Sequence, residues 1–130
     1  MSTTGTFTIK MTPDAPYDVE DGITLGRVRF DKIFSGPLTA TSVVSMTAAR
    51  TAVADSAGYV AVEKITGTVE GKTGSFVVLH IGLMNRGAQS LTITIVPDSG
   101  AGGLVGISGS MDITVVEGVH HYTLDHAFSA

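Results

Sequence analysis

Hydrophobic and polar positions alternate along most of the chain. In the stretch 91–96, Leu91, Ile93 and Ile95 alternate with Thr92 and Thr94. In the stretch 6–11, Phe7, Ile9 and Met11 alternate with Thr8 and Lys10. A period of two marks a strand with one buried face. The β-branched threonines and isoleucines suit a pleated surface. The same pattern predicts strands over 23–34, 38–49, 58–69, 74–84, 110–116 and 119–128. Turn signals separate them, among them Asp21-Gly22, Glu70-Gly71, Arg86-Gly87 and Glu117-Gly118. Only the short segment 48–54 has a composition that suits a helix. About eight strands with short connections predict one all-β domain over residues 1–130, an eight-stranded antiparallel closed β-barrel. A barrel of that size just fills with side chains or holds one small ligand. Closure also removes the exposed edges of an open sheet.

Parity along each strand assigns faces, because neighbouring side chains point to opposite sides. Tyr59, Ala61 and Glu63 share one face. Phe76, Val78 and His80 share another, as do His120, Tyr122, Leu124, His126 and Phe128. The aromatic and apolar content of these sets predicts that they point inward. Glu63, His80, His120 and Tyr122 then form a candidate buried polar cluster, which Lys32 joins if its strand keeps register past Gly26. The strands carrying Glu63 and His80 are hairpin neighbours, so both open into one interior. A buried carboxylate needs a partner, and a histidine or lysine supplies one. Such groups are candidates for function as well as for structure.

Composition bounds the chemistry. The 130 residues carry 8 Lys+Arg against 12 Asp+Glu, a net charge of −4. This acidic balance argues against a nucleic-acid partner, which calls for a basic face. Cysteine is absent, which excludes disulfides, cysteine-ligated zinc and thiol catalysis. The chain is 43% hydrophobic and only 15% charged. Yet its apolar runs are far shorter than the ~20 residues of a spanning helix. The first residues show no basic region followed by an apolar core, so a cytoplasmic protein without a signal peptide is expected. A soluble chain this apolar predicts cover for its outer surface, and a homo-oligomer, a dimer above all, is the expected partner.

Several motifs weaken on inspection. His120 and His121 are adjacent in a strand and face opposite ways, so they do not share one metal ion. Glu63, His80 and His120 match a two-histidine, one-carboxylate iron set by residue type. Coincidence accounts for that match in a small barrel, and no metal or cofactor is expected. The segment Ser99-Gly100-Ala101-Gly102-Gly103-Leu104 has the glycines of a phosphate loop but leads into a strand and not a helix. A flexible connection is the simpler reading. The sequence Gly106-Ile107-Ser108-Gly109 lacks the spacing of a nucleophile elbow. Arg27, Arg29 and Asp31 alternate on one face, which reads as solvated or subunit-contacting.

Residues along nearly the whole chain also resemble an uncharacterised bacterial family of unknown function, DUF3224. The resemblance rests on Gly36-Pro37-Leu38-Thr39-Ala40-Thr41-Ser42 and on Gly58-Tyr59-Val60-Ala61-Val62-Glu63. It continues through Gly67, Gly71, Gly74-Ser75-Phe76, His80, Val96-Pro97, Gly102, Leu104, Gly106, Gly109-Ser110, Gly118, His120, Tyr122 and Leu124. It implies an eight-stranded, calycin-like barrel similar to allene oxide cyclase, with no established activity. The chain departs from the expected pattern at Met11, Pro37 and His126, where an aromatic, an aspartate and a tyrosine are expected.

Three functions remain in view. The first is a barrel that binds a small, largely apolar molecule, with Tyr59, Glu63, Phe76, His80, His120 and Tyr122 as the lining. The second is an isomerase- or cyclase-type enzyme in which Glu63 is the base and His80 or Tyr122 the proton donor. The third is a structural barrel packed shut, in which the polar cluster only fixes register.

Overall fold

The computed structural model describes residues 1–129. The chain forms ten strands: β1 Ser2–Pro13, β2 Asp18–Glu20, β3 Ile23–Ser35, β4 Leu38–Arg50, β5 Ala57–Val69, β6 Lys72–Asn85, β7 Ala88–Ile95, β8 Ala101–Gly102, β9 Ile107–Val116 and β10 Val119–Phe128. Eight of them close an antiparallel barrel. Following the hydrogen bonds from β1, the order is β10, β9, β7, β6, β5, β4 and β3, and β3 pairs back with β1. The two extra strands are short: β2 extends the β3 edge and β8 lies on β6. Among the described residues no helix is long and apolar enough to cross a membrane.

Tight turns set the register. At Asp21-Gly22, Glu70-Gly71, Arg86-Gly87 and Glu117-Gly118 both residues have positive φ, between 47° and 95°. Two consecutive positive φ values are the requirement of the hairpin turn whose twist matches the flanking strands. The helix-compatible segment 48–54 forms no helix. β4 runs on to Arg50 because residues 48–50 pair with residues 57–59 of β5. Ladder pairing there overrides the weak helical preference of alanine-rich sequence.

The glycine-rich segment after β7 is not a loose connection. β8 pairs with Gly74 and Ser75, and Gly103 N–H donates to the Thr73 carbonyl at 2.7 Å. A Cβ on Gly74 would lie 2.0 Å from the Ala101 carbonyl oxygen, so only glycine admits this approach. The segment carries Leu104 into the barrel, where it is fully buried with Leu38, Ile65, Val69, Phe76, Ile107 and Leu124. Leu104 thus plugs this end of the barrel, and a hollow of about 450 Å³ lies beside the plug, against Met1, Val69, Lys72, His126 and Phe128.

Tyr122 ties that packed end together across the closing seam. Its ring meets Phe34 edge-on, with centroids 5.6 Å apart. Its hydroxyl accepts a hydrogen bond from Leu38 N–H at 3.0 Å and donates to the Ser35 carbonyl at 3.2 Å. Replacing Tyr122 with phenylalanine leaves a buried N–H without its partner. The expected loss is about 1–3 kcal/mol of unfolding free energy, read by urea titration.

Candidate functional site

Four inward side chains from four consecutive strands meet at mid-height: Lys32 on β3, Ser42 on β4, Glu63 on β5 and His80 on β6. Lys32 and Ser42 are direct cross-strand partners. Glu63 and His80 are each displaced two residues from the neighbouring member, since Ser42 pairs with Ile65 and Ala61 pairs with His80. The cluster thus climbs diagonally across the sheet, as the stagger of a closed barrel requires. Diagonal neighbours lie within reach of long side chains.

Glu63 is the hub and has no solvent exposure. Its Oε1 accepts from Lys32 Nζ at 3.2 Å and from His80 Nε2 at 2.7 Å. Its Oε2 accepts from the Ser42 hydroxyl at 2.5 Å. Burial by itself drives the carboxyl pKa upward. The His80 hydrogen bond, the Lys32 charge and the Ser42 hydroxyl together outweigh it and hold the group below the usual carboxylate range. Glu63 is therefore ionised at neutral pH. An ionised carboxylate only accepts, so the hydrogen shared with His80 sits on Nε2.

Above this cluster, at the end away from Leu104, the barrel is open. A cavity of about 320 Å³ lies there. Its walls are largely apolar, with Phe30, Val44, Met46, Ala61, Leu91 and Ile113. Lys32 and His80 form the polar floor, each with a side chain only 5% exposed. His120 and Tyr59 complete the wall. The His120 ring lies 5.1 Å from Phe7. The Tyr59 ring crosses Gly82, where any Cβ would come within 2.2 Å of it. Burial, reinforced by the Glu63 charge, raises the Tyr59 pKa, so its phenol stays protonated at neutral pH. A second hollow of about 290 Å³ continues toward the rim and shares Met46, Tyr59 and Leu91.

The residues expected from the sequence divide by height. Tyr59, His80 and His120 line the cavity. Glu63 is not part of the lining, and both its oxygens are engaged by Lys32, Ser42 and His80. Phe76 and Tyr122 point inward, but they belong to the packed end and not to the cavity. Ser42 was not anticipated. It sits on an inward face among Leu38, Ala40 and Val44, and a lone small hydroxyl carries no signal of a charged side chain two positions along on the neighbouring strand. Glu63 and His80 bond each other directly, and among the described residues no three His, Asp or Glu side chains converge.

With the site described, comparison with known proteins adds a family. The model of the family "Protein of unknown function (DUF3224)" matches residues 3–126. A crystal structure of a protein of unknown function from the DUF3224 family of Shewanella oneidensis MR-1 is 42% identical to this chain. It superposes with a TM-score of 0.95, covering 100% of this chain and 98% of that one. No curated protein matches. The chain belongs to the DUF3224 family.

The hub makes a definite pH prediction. Glu63 has a folded pKa below its unfolded value. Its contribution to stability is complete above the unfolded value of about 4.3 and fades as pH falls through the lower folded value. Glu63→Gln strands the Lys32 charge in the interior, so it should cost about 3–5 kcal/mol at pH 7. Urea titrations should show the gap between variant and parent narrowing below about pH 4.

Proposed function

We propose that this member of the family binds a small, largely apolar molecule in the open half of its barrel. The observation that carries the reading is the cavity itself: a concave, apolar-walled space with a few convergent polar groups is the usual form of a ligand site. Its volume lies at the lower edge of the ~300–1,000 Å³ range of such sites. The enzyme alternative with Glu63 as base is less well supported, because Glu63 is sealed under Lys32 and His80. The likeness to allene oxide cyclase is an analogy of fold and lends no chemistry to the site.

We infer further that the protein self-associates as a dimer through the outer face of β5 and β6. Val60 pairs with Ile81 and Val62 with Leu79, and all four are about half exposed on the outside of the barrel. Leu83 extends the patch and is 61% exposed. Contiguous exposed apolar side chains of this kind mark interaction surfaces. A second copy offers a matching apolar face, and sheets commonly pack face to face.

Two measurements test these readings. N-phenyl-1-naphthylamine, an uncharged apolar dye, should bind with enhanced fluorescence. Ala61→Phe, which fills the cavity from its wall, should weaken that binding roughly tenfold or more, the effect of ~1.4 kcal/mol. Dye binding that ignores Ala61→Phe would place it elsewhere and sink the cavity reading. Native mass spectrometry of the protein as expressed should give a dimer, and Val62→Lys should give a monomer. A monomeric mass for the unaltered protein would overturn the dimer.

A further inference from the structure

The polar chemistry of the cavity is one-sided. Its polar side chains are Lys32, His80, His120 and Tyr59, and among the described residues no aspartate or glutamate lines it. The nearest carboxylate, Glu63, is spent on Lys32, His80 and Ser42. The Lys32 ammonium has three N–H groups, of which one is directed at Glu63. Its Nζ also stands 4.8 Å from the centre of the Phe7 ring, a contact that holds the charge against an apolar wall. His80 commits Nε2 to Glu63 and keeps Nδ1. The Tyr59 phenol keeps its hydrogen. Lysine and phenol are thus fixed as donors, and beyond the engaged Glu63 no carboxylate among the described residues faces them. In so apolar a setting a hydrogen bond is stronger than in water, and an unmet donor is costly.

From this arrangement we propose that the cavity takes an apolar carboxylic acid as its ionised form, with the carboxylate on the floor against the Lys32 ammonium. The inference rests on the binding reading above and adds the chemical class of the ligand. Charge-assisted hydrogen bonds from the Lys32 ammonium hold the head group, and the Tyr59 phenol is the other donor of the lining. The apolar body lies along Met46, Ala61 and Leu91 and continues into the hollow at the rim. Glu63 acts as a positioning residue: its hydrogen bonds fix Lys32 and His80, and it does not line the cavity. Burying the ligand carboxylate is acceptable only because these donors are already in place.

The test compares two ligands of equal chain length on the unaltered protein. Isothermal titration calorimetry at pH 7 with octanoate and with octan-1-ol should show octanoate binding roughly tenfold or more tightly, as expected for charge-assisted over neutral hydrogen bonds. The double variant Lys32→Met with Glu63→Gln removes the charge without stranding its partner. It should lose the preference for octanoate, so that its affinities for octanoate and octan-1-ol fall within about threefold of each other. A thermal melt checks that it is folded, and the two-ligand comparison on the parent decides the question even if it is not. Equal or weaker binding of octanoate overturns the carboxylate proposal and leaves the binding reading standing. If neither octanoate, octan-1-ol nor the naphthylamine dye enters, both fall.

Discussion

The structure is organised around one buried negative charge. A carboxylate in an apolar barrel is tolerable only when its lone pairs are met, and Glu63 meets them with groups from three other strands. Lys32, Ser42 and His80 each come from a different element. The charge therefore constrains β3, β4, β5 and β6 at once. A slip of one residue in any of these pairings would turn a partner outward. The cluster also divides the interior. Below it the core is packed to Leu104 and Tyr122, and above it the barrel is hollow.

That division explains what the sequence disclosed and what it concealed. Parity placed Glu63, His80, His120, Tyr59, Phe76, Tyr122 and Lys32 on inward faces, and the structure agrees in each case. Parity is silent on height along the barrel axis. Tyr122 and His120 are two residues apart on one inward face, yet one lies in solid core and the other on a cavity wall. Their difference comes from the stagger between strands and from the plug, and both are set by pairings distant in sequence. Ser42 escaped notice for the same reason. Its partner Glu63 is found only once the diagonal register of β4 and β5 is known.

The glycines after β7 gave a misleading local signal. Read alone, Gly100, Gly102 and Gly103 suggest slack. In the barrel Gly102 and Gly103 lie against the backbone of Gly74 and Thr73, and Gly100 lies against that of Leu104. Small residues there serve packing, and the close approach delivers Leu104 to the barrel's end. A composition that looks mobile along the chain is fixed by a neighbour some thirty positions earlier. The turn dipeptides were legible because their requirement is local: two positive φ values in succession leave few alternatives.

The order of strands around the barrel has a consequence for synthesis on the ribosome. Every neighbouring pair in the barrel is adjacent in the chain or nearly so, except β1 with β10. As the chain emerges, β1 finds β3 early, and each later strand adds to the one before it. The growing sheet keeps two free edges until residues 120–125 appear and pair with β1. Tyr122 belongs to that last strand, and its hydroxyl reaches back to Ser35 and Leu38, made more than eighty residues earlier. It is a latch set only when translation of the barrel is almost done. Until then a chain with few charges must protect an open edge.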